Sequence, residues 1–208
     1  MRLSHGIHLA YCTNIHRGGD WPETFRSLNE HTLRVRDRVS KGKPYAIGLR
    51  LGDTASRQLA QADELEKFRT WLERNDCYVF TINGFPYGDF HGKRVKEQVY
   101  KPDWTTVERV EHTKRLFDIL AVIAPGESGG SVSTVPWSFK EFINTGEQVE
   151  AIRRNVWSVV EHIDSLSEKT GRDLHLGLEP EPLCYLETTD EMIRFYRQLR
   201  NDRPGDDR

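Results

Sequence analysis

Tyr45-Ala46-Ile47-Gly48-Leu49-Arg50-Leu51-Gly52 is the stretch that decides the fold. Side chains alternate between the two faces of a strand. Ile47, Leu49 and Leu51 therefore share one face, and Ala46, Gly48 and Arg50 share the other. An open sheet covered by helices on both sides needs apolar residues on both faces. A barrel interior instead accepts small residues near the strand start and polar ones at the C-terminal mouth. The same asymmetry recurs along the chain. Ile7, Leu9 and Tyr11, then Tyr78, Phe80 and Ile82, then Leu174, Leu176 and Leu178 form the bulky apolar face. His8, Ala10, Cys12 and Asn14, then Val79, Thr81 and Asn83, then His175, Gly177 and Glu179 form the small or polar face.

Strand-length runs fall at residues 6–14, 45–52, 77–83, 130–135 and 174–179. Between them lie helical stripes such as Leu59, Ala62, Leu65, Phe68 and Leu72, or Val149, Ile152, Val156, Val159 and Ile163. Asp20 before Trp21-Pro22-Glu23 marks one helix start, and Thr188 with Glu191 forms a capping-box pattern at another. Five strand-then-helix units predict an α/β fold with parallel strands and outer helices. The first strand is followed by Asn14-Ile15-His16-Arg17-Gly18-Gly19, which is not a G-x-G-x-x-G dinucleotide fingerprint. Gly126-Glu127-Ser128-Gly129-Gly130-Ser131 lacks the lysine of a phosphate loop and precedes a strand, so it reads as a loop.

The expected architecture is a partial (β/α)8 TIM barrel holding the first five βα units. Unit spacing is roughly 42 residues, so eight units need on the order of 340. The 208 residues are read as one partial domain over 1–200, a fragment or truncated product, followed by a disordered polar tail at 201–208. A missing C-terminal half, or a second copy in a homo-oligomer, would cover the open edges.

Thirty basic residues against 32 acidic ones give a formal charge of −2, which lacks the footprint of a nucleic-acid binder. The expected partner is a small molecule. Three scattered cysteines, Cys12, Cys77 and Cys184, support neither a disulfide framework nor a zinc ribbon, and a reducing cytoplasm is the expected compartment. No apolar stretch approaches the ~20 residues of a membrane span, and no secretory signal pattern opens the chain.

Chemistry is expected at the strand C-termini. In Leu178-Glu179-Pro180-Glu181-Pro182, Glu179 falls on the inward parity, where a carboxylate needs a cation. It is the leading metal-ligand and catalytic candidate, against the alternative that it only pairs with Arg50. Glu181 is a second candidate ligand. Asn83 ends the third strand before a Gly- and aromatic-rich loop, in which Tyr87 and His91 could wall a pocket. Cys12, Asn14 and His16 after the first strand, Arg50 and Asp53 after the second and Trp137 after the fourth complete the set, with His16 as an acid or base. The alternative for His16 is an ordinary surface histidine. His8 and His175 are expected to be hydrogen-bonded core residues.

At the segments 8–16, 48–51, 83–91 and 178–182 the chain resembles the xylose isomerase-like TIM barrels, a superfamily of sugar isomerases, sugar-phosphate epimerases and related metal-dependent enzymes. More narrowly it resembles the EboE-type metabolite traffic proteins of secondary-metabolite clusters. In the wider superfamily the glutamate ending the fifth strand is a metal ligand, and Glu179 matches it. The resemblance implies a divalent ion (Mn, Mg, Zn or Co) and proton transfer on a sugar-like substrate, with further ligands on later strands that have no counterpart in this chain. A non-catalytic metabolite carrier is the alternative. An abasic-site endonuclease on the same scaffold is disfavoured by the charge balance.

Overall fold

The apolar runs of the sequence become five strands: β1 (Ala10–Cys12), β2 (Tyr45–Arg50), β3 (Cys77–Asn83), β4 (Gly130–Thr134) and β5 (Leu174–Leu178). The structure is a computed structural model, and it describes residues 1–40, 42–88, 96–126 and 129–206. All four strand pairings are parallel, and the strand order is β1-β2-β3-β4-β5. A doubly wound sheet reverses its order at a switch point. Here each strand's neighbours in the sheet are its neighbours in sequence. The chain is a partial TIM-type barrel of five βα units.

Helices fill every connection. α1 (Trp21–Ser27) and α2 (Leu33–Val39), joined by a π-helical turn, lie between β1 and β2, and α3 (Asp53–Leu59) and α4 (Ala62–Arg74) lie between β2 and β3. α5 (Val107–Ile123) and α6 (Gly146–Thr170) form the next two crossovers, and α7 (Thr189–Asp202) follows β5. Their ends are set locally. The Asp20 side chain accepts from the Glu23 N–H to start α1, and the capping boxes Thr145/Gln148 and Thr188/Glu191 start α6 and α7. Gly171, at φ 65°, closes α6 in the left-handed conformation that glycine adopts without strain. Helix α7 runs to Asp202, two residues into the stretch expected to be a disordered tail.

Ile47, Leu49, Val79, Ile82 and Val132 carry the helix side of the sheet and are fully buried, in one core with Leu59, Phe68, Leu116, Phe117, Leu120 and Ile152 of the helices. Each such side chain contributes about 1.5–3 kcal/mol by leaving water. The opposite, concave face is more open: Thr81, Asn83, Ser131, Ser133, Gly177 and Glu179 are all half-buried.

Strand β3 departs from the simple alternation. Ala46 pairs with Tyr78 and Ile47 with Val79, but Gly48 then pairs with Thr81, leaving Phe80 as an extra residue. A one-residue bulge reverses the facing of everything on one side of it. Val79 therefore joins the helix-side core, whereas Tyr78 and Phe80 lie on the concave side, the reverse of the expected assignment. Strand β1 is also shorter than the expected run, and Ile7 and Leu9, expected under helices, are 57% and 53% exposed. His175, expected in the core, is exposed, because among the described residues nothing closes the concave side beyond β5. No helix among the described residues is long and apolar enough to cross a membrane.

Candidate functional site

The parallel register arranges the concave side chains in rows. Cys12, Gly48, Thr81, Ser131 and His175 are successive register partners. One step toward the strand C-termini, Arg50 pairs with Asn83, Asn83 with Ser133 and Ser133 with Gly177. Ser131 donates to Thr81 Oγ1 at 2.8 Å, so the first row is tied by its own hydroxyls. Nearer the strand starts the bulge gathers an aromatic floor: His8 Nδ1 lies 2.9 Å from the Tyr78 hydroxyl, and the His8 and Phe80 ring centroids are 5.2 Å apart. Sequence reasoning missed the serines of β4, although their spacing of two was readable. It also missed Phe80, whose facing depends on a bulge that no residue type announces.

Glu179 follows Gly177 by two residues on the concave parity, and its N–H donates to the Thr134 carbonyl at 3.2 Å. Among the described residues its carboxylate forms no ion pair, so the expected alternative of pairing with Arg50 is absent there. Arg50 is 3% exposed and serves the loop after β1. Its guanidinium donates to the Gly18 carbonyl at 2.7 Å, and its N–H donates to Thr13 Oγ1 at 2.9 Å. Gly18 is needed at that point, since a Cβ there would stand 2.5 Å from Thr24 Oγ1. Asn83 turns its Oδ1 onto the Phe85 N–H at 3.0 Å, which fixes the first bend of the loop. Asn14 sits in a short 3-10 turn beside these groups and is half-buried.

Glu181, Tyr87 and Trp137 lie apart from this row, whereas His16 shares the wall of a small hollow with Arg50, Thr13 and Gly18. His16 is held by the Tyr11 hydroxyl at 2.8 Å and stacks on His31 with ring centroids 4.8 Å apart. Tyr11 pairs with Ile47, so this contact is on the helix side of β1. Glu181 is exposed, and its carboxylate accepts from the Tyr100 hydroxyl at 3.2 Å. Tyr87 packs edge-on against His112 of α5 at 5.1 Å, away from the concave rows. Trp137 has a left-handed backbone, φ 75°, and its ring lies between Trp104 and Phe195 of α7, with centroids 5.2 and 5.0 Å away. His91 lies outside the described residues.

A polar cluster behind the site supports the loop after β3; of its members only Asp53 was among the expected residues. Arg109 of α5 is fully buried and donates to three carbonyls, those of Pro102, Gly84 and Phe85. Burial lowers its pKa to about 10. His112, one turn on, is also fully buried. Desolvation, with Arg109, Arg115 and Arg57 nearby, holds it well below its ordinary range, so its ring is neutral. Asp53 anchors the cluster by binding Arg115 and Arg57.

No family model matches the chain, and no curated protein matches it. Among solved structures it is similar to the IolI protein with a binding zinc atom, at 13% identity and a TM-score of 0.47, over 93% of this chain and 60% of that one. It is similar also to a xylose isomerase domain protein from Planctomyces limnophilus, at 14% identity and a TM-score of 0.48, over 76% of this chain and 58% of that one. The chain thus spans under two thirds of the length of either structure.

Divalent cations of the expected kinds take four or more donors. Among the described residues no three His, Cys, Asp or Glu side chains converge. Glu179 follows the concave parity of β5, and the Glu181 carboxylate is engaged by Tyr100. The described residues therefore do not make up a metal site by themselves. What they do present is a band of hydroxyl, amide and carboxylate groups above an aromatic floor.

Proposed function

We propose that the concave face binds a small, sugar-like metabolite, and that the chain supplies the first five strands of an isomerase- or epimerase-type site. The observation that carries this reading is the Asn83–Ser133 register row, with Thr81 and Ser131 beneath it and, at its end, the Glu179 carboxylate, which has no ion pair among the described residues. Hydroxyl and amide groups at strand spacing match the alternating hydroxyls of a polyol, and they reject ligands that leave them without partners. Glu179 accepts from a ligand hydroxyl and acts as the base in a complete site. The described residues bring Glu179 alone toward a divalent ion, so the metal expected from the resemblance requires further donors. The setting we infer is cytoplasmic and concerned with secondary-metabolite traffic, in line with the EboE-type resemblance, without nucleic acid as a partner.

Saturation-transfer NMR with free pentoses and hexoses on the full chain tests the reading. Transfer from at least one sugar, weakened by Ser133→Ala and by Glu179→Gln, is the expected result. Transfer unchanged in both variants, or absent for every sugar, would overturn it. A second reading, carriage of a metabolite without turnover, is favoured by the His8, Tyr78 and Phe80 floor, which suits a flat apolar ring. Retention of such a ligand, lost on Phe80→Ala with sugars unbound, would select it.

A further inference from the structure

We propose that the β5 edge of the sheet docks on the β1 edge of a second copy of this chain, in a head-to-tail contact. In a parallel ladder the backbone groups of alternate residues turn to the same side. The Asp173 carbonyl accepts from the Gly130 N–H and the Glu179 N–H donates to the Thr134 carbonyl, so the odd-numbered residues of β5 face β4. The backbone groups of Leu174, Leu176 and Leu178 therefore face outward, and among the described residues no strand pairs with that edge. An unpaired edge is a template for another chain. At the other end of the sheet, Met1 to Leu3 folds back on the run that leads into β1. Leu9 donates to the Met1 carbonyl, Leu3 donates to the Ile7 carbonyl, and Arg2 bridges His8. This short hairpin forms the opposite rim.

The two rims match in charge. Residues 1–19 hold Arg2, Arg17 and three histidines and no Asp or Glu, whereas residues 173–193 hold six Asp or Glu and no Lys or Arg. Glu187 and Glu191 are bound by Lys140, and Glu181 accepts from Tyr100. Asp173 and Glu179 form no ion pair among the described residues, and both follow the concave parity of β5. Arg2, opposite His8 in the hairpin, shares the concave parity of its own rim. On the helix side both rims are apolar: Leu3, Ile7 and Leu9 are exposed on one, while Leu176 and Leu178 are half-buried and Tyr196 of α7 is exposed on the other. Two β1 rims, or two β5 rims, would set like charges together, which is unfavourable. Unlike rims set base against acid on the concave side and apolar groups together on the helix side. The charge pattern thus selects a heterologous contact over the self-pairing of either edge. A neighbour seated there also stands beside the exposed His175, where the concave side is otherwise open.

Analytical ultracentrifugation of the full chain, from micromolar to millimolar concentration, tests the contact. Wild-type protein is expected to sediment as more than one copy. Leu3→Glu/Ile7→Glu sets acid against the acidic β5 rim, and Asp173→Lys/Glu179→Lys sets base against the basic β1 rim. All four positions are exposed or half-buried, so both variants should keep the fold. Each alone is expected to be a monomer. Mixed together they should form a one-to-one pair, because the first retains an intact β5 rim and the second an intact β1 rim. A monomeric wild type, a variant that still self-associates, or a mixture that stays monomeric would each overturn the proposal; self-association of the first variant would point to two β5 rims meeting. Should Asp173→Lys/Glu179→Lys lose its fold, the exposed Asp173→Lys alone takes its place. No sugar is present in this experiment, so its failure leaves the reading of the concave face where it stood.

Discussion

Arg109 donates to the carbonyl oxygen of Gly84 at 2.8 Å, from a helix on one side of the loop that leaves β3. The same guanidinium reaches Pro102, 18 positions further along the chain, at 2.8 Å. One buried cation thus fastens both ends of the connection. Arg109→Met would leave three carbonyls without their donor and is expected to lower stability by about 3 kcal/mol. Urea denaturation measures this, and a loss below about 1 kcal/mol would show that the clamp is dispensable.

The bulge in β3 makes an order-of-effect prediction. Val79 is fully buried on the helix side, while Phe80 is half-buried on the concave side. Val79→Ala is expected to cost about 2 kcal/mol and Phe80→Ala less, although phenylalanine is larger. Uninterrupted alternation in β3 would not give this order, so the opposite ranking in thermal or chemical denaturation would refute the register.

His112 gives a pH dependence of known sign. Its folded pKa lies well below the ordinary 6.5, so below 6.5 the unfolded chain binds a proton that the folded chain does not. Stability from this group is present above pH 6.5 and is lost as pH falls beneath it, by up to about 1.4 kcal/mol per pH unit. The groups facing the ring are Ser56, Asp53, Tyr87 and the three arginines already named. In His112→Gln the melting temperature should depend less steeply on pH between 5 and 6.5 than in the wild type; parallel profiles would sink the assignment.

Glu179 separates a functional from a structural role. With no ion pair among the described residues, its loss should leave the fold almost untouched, within about 0.5 kcal/mol for Glu179→Gln. A manganese titration of wild type and Glu179→Ala addresses its expected part in metal binding. Equal affinities would remove it as a ligand, and weaker binding in the variant would retain it.

Fold class was readable because alternation in β2 survives in the structure: Ile47 and Leu49 are buried among helices, and Gly48 and Arg50 face the other way. The caps at Asp20 and Thr188 were readable for the same reason, since each acts within a few residues of itself. Phe80 was not readable, because a bulge is decided by two strands together. The placement of Trp137 and Tyr87 escaped for a related cause. Both follow a strand, and sequence position alone suggested the mouth, but a left-handed backbone at one and the α5 cluster beneath the other set the direction of each ring. The buried Arg109 gave no signal, being one arginine among many on polar helices.

Because one guanidinium holds Gly84 and Pro102 together, the take-off from β3 and the approach to α5 are coupled, and a shift of α5 is felt at both points at once. Phe85 and Tyr100, just inside those points, are themselves part of the core. The two ends of the connection therefore belong to the scaffold, and sequence change at them acts on stability before it acts on any ligand.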